Sequence, residues 1–148
     1  MGHPSIPLTV TGATADSEQS GEEIWKSHDG DYTTFYHANW GDSRPNGTFE
    51  LVYTLEGSPT AVMVAYYPRP NIGNGSFGNV EIQISTTSAP TTFVSVGNYT
   101  CNKSTPLTPT YMEVEPVANT HSVKFIVDGS TSKGGFASCA EMEFFGIE

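Results

Sequence analysis

The chain has 148 residues, a length that suits one domain around one core. Hydrophobic residues make up 36% and charged residues only 15%, which excludes a charge-rich disordered segment. A formal net charge of −10 disfavours binding to phosphate backbones, which takes clustered Lys and Arg, and adsorption to anionic membranes.

Met1-Gly2-His3 reads as a vector-derived remnant, and residues 4–148 as a single domain taken from a longer protein. Ile6 to Val10 predicts a first strand, with a polar loop to about Ser20. Glu22-Glu23-Ile24-Trp25 predicts a helical turn whose Trp25 plugs the core. Phe35 to His37 reads as a short strand, and Trp40 to Asn46 as a turn-rich loop closed by Asn46-Gly47. Thr48 to Leu55 alternates, with Phe49, Leu51, Tyr53 and Leu55 on one face. Ala61 to Tyr67 is a nearly unbroken apolar run of strand length and predicts a central strand. Val80, Ile82 and Ile84 alternate with polar neighbours. Thr92–Val96, Tyr111–Val114, Val123–Val127 and Met142–Ile147 complete the set. No long segment has helical periodicity. Short strands between Gly, Pro, Asn and Ser turns predict an all-β sandwich or barrel.

Two loops carry the chemistry. The first is Lys26-Ser27-His28-Asp29-Gly30-Asp31-Tyr32-Thr33-Thr34-Phe35-Tyr36-His37. Asp29 and Asp31 flank a glycine that permits a tight turn, and Thr34 adds a hydroxyl and a carbonyl. Calcium takes about six to eight oxygens, carboxylate and carbonyl mixed, and tolerates irregular geometry. The stretch lacks the later acidic positions of an EF-hand loop. The plainer alternative is an Asp-Gly turn with solvated carboxylates. The second loop runs Tyr67-Pro68-Arg69-Pro70-Asn71-Ile72-Gly73-Asn74-Gly75. A guanidinium can bridge two neighbouring hydroxyls, and an amide both donates and accepts. A surface Arg beside a turn Asn is the alternative.

Cys101 and Cys139 lack metal-ligand spacing. They form either one disulfide or two separate buried thiols.

Phe136-Ala137-Ser138-Cys139-Ala140-Glu141 is a third segment, a last strand reached through small residues with an acid just inside. Together the Asp-Gly-Asp…Thr…His loop, the Tyr-Pro-Arg…Asn-Gly loop and the Ala-Ser-Cys-Ala-Glu ending resemble the coagulation factor V/VIII type C (discoidin-like) domains. They are most similar to the family 32 carbohydrate-binding modules and the galactose oxidase N-terminal domain. The resemblance implies a discoidin-type jelly-roll β-sandwich of about eight strands. It implies a structural calcium held by the Lys26 carbonyl, the Asp29 carboxylate, the Asp31 carbonyl, the Thr34 carbonyl and hydroxyl, the Ala140 carbonyl and the Glu141 carboxylate. It also implies a shallow sugar site in which His37, Arg69 and Asn74 orient hydroxyls and Phe136 stacks on the ring, with Trp40 as a second stacking candidate. Trp40 alternatively packs locally, and Glu22 or Glu23 is a further candidate for an acidic contact. Tyr36 stands where many members of the family carry Trp, and a Tyr there still plugs the core.

The expected function is a non-catalytic carbohydrate-binding module for galactose- or GalNAc-type terminal sugars, covalently attached to a glycan-active enzyme. The expected setting is secreted, periplasmic or cell-surface. A discoidin-like protein-interaction or spacer module is the alternative. The chain has no Gly-x-Ser-x-Gly elbow and no His-Glu-x-x-His. Asp29 and Asp31 share one turn, which suits one cation better than the two sides of a scissile sugar bond. Asn46, Asn74, Asn98 and Asn102 each open an Asn-x-Ser/Thr pattern. A glycan on Asn74 would block the sugar site.

Overall fold

The computed structural model describes residues 5–71 and 73–147. The remnant at residues 1–3, the domain ends at 4 and 148 and Ile72 of the second loop lie outside the described residues. The described strands are β1 (Ile6–Leu8), β2 (Val10–Ala15), β3 (Tyr36–His37), β4 (Thr48–Leu55), β5 (Thr60–Tyr67), β6 (Asn79–Thr86), β7 (Ala89–Thr100), β8 (Thr110–Val117), β9 (Thr120–Asp128), β10 (Ser138–Cys139) and β11 (Glu141–Ile147). They form a four-stranded sheet, β1-β11-β5-β8, and a five-stranded sheet, β2-β4-β9-β6-β7. A short β10-β3 ladder sits apart from both. All pairings are antiparallel.

Alternation builds the core. β4 buries Phe49, Leu51, Tyr53 and Leu55, while β6 buries Val80, Ile82 and Ile84, and β9 buries Val123, Phe125 and Val127. The facing sheet contributes Val64 and Tyr66 from β5, Met112 and Val114 from β8, and Met142 and Phe144 from β11. Each large side chain so buried stabilises by roughly 1.5–3 kcal/mol. β5 lies between β11 and β8, the central place expected of its apolar run. The first strand is split, because β1 pairs with β11 and β2 with β4.

Trp25 does not plug the core: it is 53% exposed. Ile24–His28 is a 3-10 turn that buries Ile24 and Ser27. Three residues per turn put positions i and i+3 on one face, so Trp25 falls outside. Tyr36 is fully buried, and its hydroxyl donates to the Ser17 carbonyl at 2.7 Å. Cys101 and Cys139 are separate buried thiols. Burial pushes the Cys101 thiol up to about 12, and its Sγ rests 3.9 Å from Met112 Sδ.

The loops beside the β10-β3 ladder are stitched to one another. Gly75 N donates to the Lys133 carbonyl, Ser138 N to the Gly75 carbonyl and Ala38 N to the Ala137 carbonyl. Gly75 has φ +100°, and a Cβ there would lie 2.6 Å from Ser138 Oγ. Arg44 fixes the loop after β3. Its guanidinium reaches Asp16 at 2.9 Å and Asp42 at 2.7 Å, lies over the Phe49 ring, and donates to the Thr48 carbonyl.

Candidate functional site

The β10-β3 ladder pairs Ser138 with His37 and Cys139 with Tyr36. Side chains alternate along a strand, so Tyr36 enters the core while Phe35 and His37 share the other side. The ladder thereby sets the His37 ring beside Phe136, with centroids 5.4 Å apart. His37 Nδ1 lies 2.6 Å from the Ala38 carbonyl. A carbonyl only accepts, so a neutral ring carries its proton on Nδ1 and keeps Nε2 as an acceptor. His37 is 4% exposed, the least accessible of the lining side chains.

Arg69 leaves the end of β5 and folds its guanidinium over the Phe35 ring at 4.3 Å. Nε donates to Asn71 Oδ1 at 3.3 Å and Nη1 to the Asn74 carbonyl at 3.2 Å. Gly73 passes close enough that a Cβ there would lie 3.2 Å from Nη1. Burial lowers the guanidinium's pKa from its ordinary value while the Glu22 charge raises it, and an arginine remains charged at neutral pH. The Asn74 carbonyl also accepts from Ser138 Oγ at 3.2 Å. Its exposed side chain stands against Gly134, in the segment that leads to Phe136.

Trp40 is 64% exposed. Its indole Nε1 donates to Glu22 Oε1 at 3.2 Å, and its backbone N donates to Gln19 Oε1 at 2.9 Å. These residues meet in one open cleft of about 490 Å³, lined by Glu22, His37, Trp40, Arg69, Gly73, Asn74 and Phe136. All five side chains expected at a sugar site therefore share one cleft. Of the two glutamates considered for an acidic contact, Glu22 lines it. Glu23 instead accepts from Gly21 N at 2.8 Å. Phe35, the support under Arg69, was not singled out. The signal available was its two-residue spacing from His37.

The first loop, Lys26 to His37, lies next to the start of β11. Asp29 Oδ2 accepts from Thr34 Oγ1 at 2.6 Å, and Asp29 Oδ1 from Asp31 N at 2.9 Å. Thr34 Oγ1 also lies 3.1 Å from the Asp31 carbonyl. The Asp31 carboxylate is turned away to Thr33, whose N and Oγ1 it accepts at 2.8 and 2.6 Å. Gly30 N approaches Glu141 Oε1 at 3.3 Å, while Glu141 Oε2 is buried without a partner. Burial, and then the facing Asp29 carboxyl, push Glu141 up to about 8. Ser27 Oγ meets the buried Tyr53 hydroxyl at 2.7 Å and ties the loop to the core. Among the described residues no group of three or more His, Cys, Asp or Glu is placed to hold a metal. The oxygens gathered here are those of the Asp29 and Glu141 carboxyls, the Asp31 carbonyl and the Thr34 hydroxyl, donors of the hard kind that calcium takes rather than a transition metal.

No family model matches the chain, and no curated protein matches it by sequence. Solved structures match nearly all of it. The family 32 CBM of NanJ from Clostridium perfringens, in complex with galactose, has a TM-score of 0.77 at 23% identity, covering 95% of this chain and 97% of that one. The CBM32-1 and CBM32-2 domains of Clostridium perfringens ZmpB, in complex with GalNAc, give 0.80 at 19% identity, covering 95% of this chain and 35% of that one. An F5/8 type C domain from Bacteroides fragilis gives 0.73 at 12% identity, covering 95% and 97%. The fold is the discoidin-type jelly-roll sandwich of these structures.

Proposed function

We propose that this domain is a non-catalytic carbohydrate-binding module that takes terminal galactose- or GalNAc-type sugars in the cleft of His37, Arg69, Asn74 and Phe136. The observation that carries the reading is the convergence of those side chains, from three distant segments, on one solvent-open cleft. The cleft supplies the two surfaces a sugar needs. Phe136 and Trp40 offer apolar faces for ring C–H groups, and Arg69, Asn74 and His37 offer donors and an acceptor for hydroxyls. Neighbours of the same fold solved with galactose and with GalNAc support the choice of sugar.

Glu22 is the one carboxylate among the described lining residues, whereas glycoside hydrolysis ordinarily takes two. Neighbours of this fold that are themselves carbohydrate-binding modules support binding without catalysis, with any catalysis in an attached glycan-active domain. A shallow site gives an affinity for one sugar of about mM to tens of µM, roughly 4 to 6 kcal/mol, and neighbouring modules add avidity. Glycan targets fit a secreted, periplasmic or cell-surface setting. Among the described residues no helix is long and apolar enough to cross a membrane.

Calcium belongs to the same reading. Glu141 Oε2, buried without a hydrogen-bond partner beside the Asp29 carboxyl, supports the reading, because a divalent ion there would satisfy it. Lys26, Asp29, Asp31, Thr34, Ala140 and Glu141 would hold it, and it would tie the loop to β11.

A glycan array of the purified domain in calcium, with Arg69→Ala alongside, tests the proposal. Binding to terminal galactose or GalNAc that disappears in the variant is expected. A blank array from folded protein would point to a protein partner or a spacer instead.

A further inference from the structure

The cleft holds two opposed charges, Arg69 and Glu22, each held by the protein. Arg69 has two N–H groups bonded to its own loop and its plane laid on Phe35. Glu22 has a pinned backbone, its N donating to the Gln19 carbonyl and its carbonyl accepting from His37 N. Its Oε1 accepts from the Trp40 indole at 3.2 Å, which sets both the carboxylate and the exposed ring along the cleft. A sugar seated between Phe136 and Trp40 thus lies beside a fixed negative charge, on a molecule whose formal net charge is −10.

We infer that Glu22 is a specificity-determining residue that restricts the cleft to neutral or amino sugars and rejects carboxylated or sulfated ones. The inference rests on the proposed sugar site and adds the charge class of its ligand. Arg69 is the opposing charge in the same cleft, and two of its N–H groups are taken by Asn71 and Asn74 of its own loop, whereas the Glu22 carboxylate lies against the Trp40 indole. Two unit charges held several ångströms apart at a protein surface interact by enough to shift binding roughly tenfold, and salt screens the effect.

Glu22→Gln is the informative variant, because the amide oxygen still accepts from the Trp40 indole and only the charge is removed. NMR titrations at low salt with methyl galactoside, galactosamine and galacturonate, in calcium, read the result. Wild type should bind galacturonate roughly tenfold more weakly than methyl galactoside, and Glu22→Gln should bring that ratio close to one. The galactosamine preference should fall in the variant, and both ratios should shrink at high salt. Galactoside binding with the galacturonate ratio unchanged in Glu22→Gln would overturn the inference alone. No binding of any of the three by folded wild type would overturn the sugar site, and the inference with it.

Discussion

At the scale of single residues, the cleft depends on groups that never reach a ligand. Tyr66 is the clearest case. Its ring stacks on Phe77 at 4.1 Å, and its buried hydroxyl donates to the Ser138 carbonyl at 2.8 Å while accepting from Phe77 N at 3.1 Å. One hydroxyl therefore joins the second loop to the strand after Phe136. Tyr66→Phe keeps the stack and leaves a buried N–H without its partner. It should cost about 1–3 kcal/mol, read as a lower urea midpoint at unchanged slope. An unchanged midpoint would mean that water replaces the hydroxyl. His37 shows how far sequence carries at this scale. Its position beyond the Asp-Gly-Asp loop marked it as a candidate, but its bond to the Ala38 carbonyl, which orients the ring, is tertiary detail. Trp25 misled for a related reason. Its size favours burial, yet the 3-10 pitch gave the inward positions to Ile24 and Ser27.

At the scale of elements, the strands were legible and the contacts between loops were not. Alternation in β4, β6 and β9 named the core positions, because a half-buried strand repeats every two residues. Nothing local announces that Gly75 will pair with Lys133 and Ser138, about sixty residues away. That seam sets Asn74 beside the segment leading to Phe136, and it requires a glycine. Gly75→Ala places a Cβ on Ser138 at a backbone angle of φ +100°. The strain alone should cost about 1–3 kcal/mol. The variant should melt lower and lose galactoside affinity together, because the seam and the cleft share residues. Full affinity in Gly75→Ala would show that the seam does not set the cleft. The Arg44 network performs the same work for the Trp40 loop, with Asp16, Asp42 and Thr48 as its anchors.

At the scale of the whole molecule, the two sheets supply the stability and one loop cluster supplies the proposed function. A calcium in the first loop would couple the two, since it would join Asp29 near the start of the chain to Glu141 at the start of the last long strand. Calcium at a hundredfold excess over its dissociation constant stabilises by about 2.7 kcal/mol, roughly 5–10 °C in melting temperature for a domain of this size. Asp29→Asn should remove most of that increment. Equal melting temperatures in calcium and in chelator would contradict the calcium assignment and leave the sugar cleft standing. The overall fold was legible because three separated segments and the strand pattern agreed, and solved structures of the same fold cover 95% of the chain. The proposed sugar is harder to read, because the neighbours solved with galactose and with GalNAc share only 23% and 19% identity and small changes around a shallow cleft alter which hydroxyls are met.

The most direct measurement is a backbone amide NMR titration of the calcium-loaded domain with galactose. The expected shifts cluster on His37, Trp40, Arg69, Asn74 and Phe136, saturate together in the millimolar range or below, and vanish in Arg69→Ala. Shifts that instead gather on a sheet face, or no shifts at saturating sugar, would contradict the assignment of the cleft.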